Sequence, residues 1–270
     1  MTFDGLLPAL SAVLNAFFLV AGVYIYASLL RQIAVRLPNA EPPPLRNFGL
    51  PEAVVAMLLT SFFLVTLSGA NSHDVSRMRN LDLIFSAVLT IGLLLTLAGF
   101  LYLRRFDLDS LGGFSRIGFF RTLITGGVLM LAAYPLIFLA DIVTQRLLRS
   151  TPQKQASVEM FSESTTREQC ILIILLAVSL APLAEEFIFR FFIYGVARRY
   201  FGRIIGILLS ALLFAAVHAH LPSFAPLFVL GSCFAIAYEW SGSILVPMTM
   251  HALFNAITLT ALAFPDFVQR

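Results

Sequence analysis

The sequence predicts an all-α fold: a polytopic transmembrane bundle of about eight helices around a conical or cleft-like intramembrane cavity. Three observations predict it. Of 270 residues, 59% are hydrophobic and only 12% charged, with a mean hydropathy of +0.89; a soluble domain is about 45–50% apolar and about a quarter charged. The apolar residues form continuous runs close to the ~20 residues that cross a ~30 Å hydrocarbon core, without the alternation of barrel strands. Finally, the few ionisable residues inside those runs recur at helical spacing.

Taken in order, the first run is 6–30. Its length, and Asp4 where a signal peptide would be basic, predict a retained helix and not a cleaved leader. "PNAEPPP" at 38–44 predicts an extended connector. Spans follow at 51–70 and 83–103. Residues 107–120, "DLDSLGGFSRIGFF", mix charge with Phe, Leu and Ile and predict a segment lying along the interface. The next span is 121–145, then a polar surface loop over roughly 146–169, then spans at 170–197, 203–220, 222–240 and 244–264. No internal repeat and no separate soluble domain is visible. The chain divides into residues 1–169, amino-terminal helices and interfacial segments, and 170–270, the core helices that hold the polar residues. Both belong to one membrane domain.

The net charge of +3 is carried almost wholly by arginine, with Lys154 the only lysine. In such a chain basic residues report topology, so no nucleic-acid partner is expected. With the amino terminus outside, ten arginines fall in inner connections and seven basic residues in outer ones, which favours both termini outside. A multi-pass protein of a prokaryotic inner membrane is the expected location. Cys170 and Cys233 lie in separate apolar segments and suggest neither a disulfide framework nor a thiol site.

An ionisable side chain at mid-membrane costs at least ~2.5–3.5 kcal/mol and marks a site or a partner. The residues that demand an account are Glu185, Glu186, Arg190, His218 and His251. Glu52, Asp141, His220 and Glu239 fall near span ends, where snorkelling or solvation accounts for them. Glu186 and Arg190 are four apart with the acid amino-terminal, the favourable order for an intrahelical pair. Glu185 is rotated by about 100° and left without that partner. Phe214 and His218 share a second helix face, His251 and Asn255 a third. Turning the three faces toward one protein-lined cavity removes their cost.

The parts suit two chemistries. A carboxylate and an imidazole can hold and deprotonate a water, while a second imidazole and a carboxamide can donate to a developing oxyanion. That makes a peptidase with no serine or cysteine nucleophile. Alternatively, the histidines and one glutamate are ligands of a divalent metal such as zinc, with water at an open position. No "HExxH" occurs, so a zincin-type site is unsupported.

"EEFIFR" (Glu185–Arg190), "FAAVH" (Phe214–His218) and "HALFN" (His251–Asn255) resemble, in order, the EExxxR, FxxxH and HxxxN motifs of the CPBP (Abi) intramembrane proteases, which include the type II CaaX prenyl proteases. The resemblance covers about 180–256. It implies Glu185 as general base activating a water, His218 as its helper, and His251 and Asn255 as the oxyanion site. Glu186 and Arg190 would organise the helix, with Phe214 in support. It further implies a membrane-associated peptide or lipidated protein as substrate, including prenylated CaaX proteins, with the bilayer as surroundings. The family is often labelled metalloprotease. The metal-free version, with no cofactor, is favoured, because Asn is an unusual ligand and a good oxyanion donor.

Competing readings are an ion-coupled transporter, since buried Glu, His and Arg also make relays, and a non-catalytic scaffold or immunity protein. The small residues of "GSCFAIA" read as ordinary close packing. One geometric demand follows from the spans. His218 lies about 15 residues into its helix and His251 about seven from the same side, a difference in depth of roughly 12 Å. Either the last helix begins before residue 244 or helices tilt or break; the former is expected, with "WSGS" (240–243) nearer the membrane surface than the midplane.

Overall fold

The computed structural model of the chain describes residues 3–36, 47–69, 80–148, 161–162, 164 and 166–264; these are helical, with no strand among them. The expected connector at 38–44 and most of the loop at 146–169 lie outside the described residues. The order is α1 (Phe3–Val35), α2 (Leu50–Gly69), α3 (Asn80–Leu103), the short α4 (Leu108–Gly112) and α5 (Phe119–Leu148). There follow α6 (Arg167–Leu175), a first π-helical segment (Leu176–Leu180), α7 (Ala181–Glu185), a second π-helical segment (Glu186–Ile193), α8 (Tyr194–Val217), α9 (Leu221–Ser241) and α10 (Leu245–Ala263). Among the described residues six helices are long and apolar enough to cross a membrane, and Leu50–Thr66 is a shorter apolar one. The protein is thus an integral, multi-pass membrane protein, and the exposed Phe17, Phe85, Leu95 and Leu131 lie on faces that lipid covers.

One apolar stretch, Arg167–Val217, is 51 residues long, far more than one crossing needs. It is broken at Gly202, whose φ of 81° and ψ of 174° belong to a region open essentially to glycine alone. Beyond it the chain turns back. The Ser210 hydroxyl donates to the Phe189 carbonyl at 2.8 Å, and a Cβ on Gly206 would stand 2.9 Å from the Arg198 backbone nitrogen. The result is a helical hairpin, and the gap between the expected spans 170–197 and 203–220 falls at its tip.

Helix α9 is the central element, packed against α1, α5, α8 and α10. Close approach depends on small residues: a Cβ on Gly22 of α1 would collide with the Ala132 carbonyl of α5, and one on Gly126 of α5 would lie 2.8 Å from Thr249 of α10. Tyr26 donates to the Leu129 carbonyl across the first of these contacts, at 2.9 Å.

Two acids expected to be solvated at span ends are instead buried and paired. Glu52 accepts from Arg104 Nε at 2.8 Å and from the Gly49 amide at 2.7 Å, which closes the start of α2 onto the end of α3. Glu239, 5% exposed, accepts from Tyr194 at 2.6 Å, Arg198 at 2.8 Å and Arg203 at 2.9 Å. Arg203 also donates to the Ile33 and Arg36 carbonyls, and Arg36 to those of Glu239 and Trp240. Snorkelling moves one charge toward water; here the cations are brought to the acid, because the tip of the hairpin sets Arg198 and Arg203 beside the end of α9.

The last helix does not begin early: α10 starts at Leu245. The turn before it is covered by protein, with Ser243 and Ile244 fully buried. α9 ends at Gly242, left-handed at φ 65° with its amide on the Tyr238 carbonyl, a common helix stop. The non-spanning α4 covers this turn. The Ile244 amide donates to the Gly112 carbonyl at 2.8 Å and the Tyr238 hydroxyl to the Leu111 carbonyl at 2.8 Å. Gly113, left-handed at φ 60° and with its Cβ position on the Gly242 carbonyl, makes the contact. Gly113→Ala is expected to lower stability by about 2 kcal/mol or more, read as a lower Tm in detergent, while Gly118→Ala, with open space at its Cβ position, leaves Tm unchanged.

Candidate functional site

The site is built on both arms of the hairpin and on α9 and α10. The helix that carries the two glutamates is irregular on either side of them, with π-helical turns at Leu176–Leu180 and Glu186–Ile193. Such wide turns release backbone groups and reorient side chains, and they are frequent at functional sites. All eight residues of the second π segment are buried.

Glu186 and Arg190, both without solvent exposure, pair at 3.1 Å through Oε1 and Nη1, the i,i+4 geometry that their spacing predicts. The same Oε1 accepts from His251 Nδ1 at 2.9 Å. Arg190 is held from further sides. Its Nη2 donates to the Gly231 carbonyl at 3.3 Å, and its guanidinium lies 4.1 Å from the centre of the Phe214 ring and 5.1 Å from that of Phe234. Cation–π contact of this kind gains in a desolvated site. Glu186 Oε2 and Arg190 Nε have no hydrogen-bond partner.

Because the Glu186 carboxylate can only accept, His251 donates through Nδ1, and its Nε2 points the other way. There it meets Glu185, whose Oε2 lies 3.9 Å away. That is too long for a hydrogen bond and short enough for one water to bond both. Glu185 Oε2 is buried and unpartnered, although the side chain is 29% exposed, so this glutamate faces the site free of the pair beside it.

His218 ends α8, and Ala219 after it adopts a left-handed φ of 51°, which costs a residue with a Cβ about 1–2 kcal/mol. The His218 Nδ1 donates to the Phe214 carbonyl at 2.7 Å, so Nε2 carries the lone pair in the neutral ring. Phe214 lies between the histidines, with ring centres 4.8 Å from His218 and 5.9 Å from His251. No direct hydrogen bond among the described residues joins His218 to Glu185. Asn255 Nδ2 donates to the Ala177 carbonyl at 2.7 Å, which ties α10 to the first π segment. Neighbouring His220 takes the first position of the α9 cap with Nδ1 on Ser223 Oγ at 2.7 Å; burial pushes its imidazole below the ordinary histidine value.

The stretch "GSCFAIA" is more than packing surface. Phe234 stacks on the His251 ring at 5.1 Å and 28°, and Gly231 lends its carbonyl to Arg190. A Cβ on Gly231 would lie 3.0 Å from Phe214 and 3.1 Å from Arg190 Nη2. An aromatic among small residues is the one signal that the sequence carries for this wall. Among the described residues no three His, Cys, Asp or Glu side chains come together as a metal-ligand set. Glu186 Oε1 and His251 Nδ1 are already committed to each other, and Glu186 Oε1 to Arg190 as well.

Residues 167–257 match the family described as type II CAAX prenyl endopeptidase Rce1-like. That stretch contains every polar side chain of the site and supports reading the protein as an intramembrane protease. The chain is 30% identical over 98 residues to the membrane-embedded CAAX protease MroQ of Staphylococcus aureus, covering 34% of this chain and 40% of that one. It is 28% identical over 141 residues to the uncharacterized protein YpbD of Bacillus subtilis, covering 50% of this chain and 67% of that one. The match to the staphylococcal relative thus spans less than half of that protein's length. No solved structure matches.

Proposed function

We propose, on the premise of the Rce1-like domain at residues 167–257, that the protein is a glutamate-dependent intramembrane endopeptidase. In this reading it hydrolyses a peptide bond of a membrane-associated peptide or lipidated protein, and Glu185 is the general base. The observation that carries it is the unpartnered Glu185 Oε2 set 3.9 Å from His251 Nε2. A water there gives its proton to Glu185 as its oxygen attacks the carbonyl carbon. His218, with Nδ1–H spent on Phe214, offers its Nε2 lone pair to the same water. The oxyanion is met by His251 and Asn255. With Nδ1–H given to Glu186, a donor at His251 Nε2 requires the imidazolium, and the Glu186 carboxylate is its counter-charge. Collapse of the tetrahedral adduct returns the proton from Glu185 to the leaving amine.

A prenylated CaaX tail fits this class, since its lipid anchors a short peptide in the bilayer beside the cavity. The test is to incubate the purified protein in liposomes with a synthetic farnesylated CaaX peptide and its unfarnesylated counterpart, and to detect the released tripeptide by mass spectrometry. Release from the farnesylated peptide alone is expected. Equal release from both shows that the lipid is not read, and release from neither removes CaaX peptides from the substrate class.

A further inference from the structure

Asn255 has a commitment that an oxyanion donor does not need. One of its Nδ2 hydrogens goes to the Ala177 carbonyl at 2.7 Å, and the helix that carries Ala177 explains why. In a regular α-helix that carbonyl would accept from the amide of Ala181. Here the Ala181 amide bonds the Leu176 carbonyl instead, in the wider i→i+5 pattern of the π segment. The next amide along that wider ladder belongs to residue 182, which is a buried proline and has no N–H. Ala177 is left with neither of these backbone donors inside an apolar helix, where an unmet carbonyl is costly.

We propose that Asn255 is a positioning residue: its carboxamide stands in for the N–H that Pro182 lacks, and so locks the π turn that aims Glu185 into the site. Glu185 is three residues beyond Pro182, at the end of the five-residue α7, with no loop between to absorb an error. Closing the π turn to α geometry would shift the helix by about one residue and rotate Glu185 by about 100°. That rotation would carry the carboxylate away from His251 Nε2. The second Nδ2 hydrogen stays free for the oxyanion, so the two roles coexist on one side chain. The positioning role rests on Glu185 being the base; the link between Asn255 and Pro182 does not.

A double-mutant cycle separates them. Asn255→Ala removes the substitute donor, and Pro182→Ala restores a backbone N–H at the position from which the π ladder reaches Ala177. In detergent, Asn255→Ala is expected to lower Tm by about 5 °C, and Pro182→Ala to raise Tm more in that background than in the parent. If Asn255→Ala does not fold, recovery of folded protein in the double variant is the same result. On the farnesylated peptide, Asn255→Ala is expected to lower kcat about a hundredfold with KM little changed, and the double variant to recover at least tenfold of it. Equal effects of Pro182→Ala in the two backgrounds overturn the substitution of one donor for the other. Recovery of Tm without recovery of kcat overturns the positioning role and leaves Asn255 with the oxyanion alone. A parent that does not cleave the peptide counts against the proposed substrate, and the Tm cycle still decides the Asn255–Pro182 link.

Discussion

Glu185→Gln is expected to fold as the parent does and to hydrolyse peptide about 10²–10⁴-fold more slowly. Glutamine keeps the size of the side chain and can bond a water, but it cannot take the proton. The fold should tolerate it because Glu185 makes no ion pair at bonding distance: the basic ring nearest to its carboxylate, among the described residues, is His251, 3.9 Å away. Tm in detergent should therefore shift by no more than about 1–2 °C while the rate collapses. Rates within a few-fold of the parent would place the base elsewhere and end the mechanism proposed above. An ion-coupled transporter would instead lose pH dependence, and a scaffold would show no change.

The opposite pattern is expected at Arg190. Arg190→Ala leaves Glu186 fully buried with, among the described residues, only the His251 ring bonded to it, and breaking a buried pair from one side costs about 3–5 kcal/mol. Arg190→Lys keeps the charge but loses the planar fork that reaches Glu186 and the Gly231 carbonyl together while lying over Phe214. Its loss should fall between that of the alanine variant and zero. The check is the yield of folded protein extracted from membranes and its Tm. An alanine variant as stable as the parent would mean that Glu186 is held by something other than this pair. Activity falls in both variants, since Glu186 also orients His251, so the stability measurement distinguishes them from Glu185→Gln.

The membrane class and the hairpin arms were legible because hydrophobic length and continuity depend on the chain alone. The pairing of Glu186 with Arg190 was legible for the same reason, as both lie on one turn. What escaped depends on partners distant in sequence. Glu239 looked like a solvated helix end because Arg198 and Arg203 reach it only when Gly202 reverses the chain. Phe234 and Gly231 looked like packing because their contacts with His251 and Arg190 cross from one helix to another. The covered turn at Ser243 and Ile244 escaped because its cover, α4, comes from more than a hundred residues earlier. The π turns escaped because the donor that meets the Ala177 carbonyl is Asn255, on a helix distant in sequence. For Glu185, His218, His251 and Asn255 the spacings indicated shared faces, while the commitments of individual ring and amide nitrogens needed coordinates.

The hairpin with its tip at Gly202 has a consequence for how the protein enters the bilayer during synthesis. Glu186 and Arg190 are neighbours on one turn, so the pair can neutralise itself as soon as that turn is helical, before any later helix has been made. The return arm then brings Ser210 to Phe189 and Phe214 to the guanidinium through a short loop, and closing a short loop costs little entropy. Glu239 is different: it lies near the end of α9, and its cations wait at the hairpin tip until α9 arrives. Half of the charged interior is thus assembled locally and early. The arrival of α9 and α10, bringing Phe234, His251 and Asn255, completes the site as these helices dock, so a partly translated chain holds the acid without the histidine that Glu185 faces.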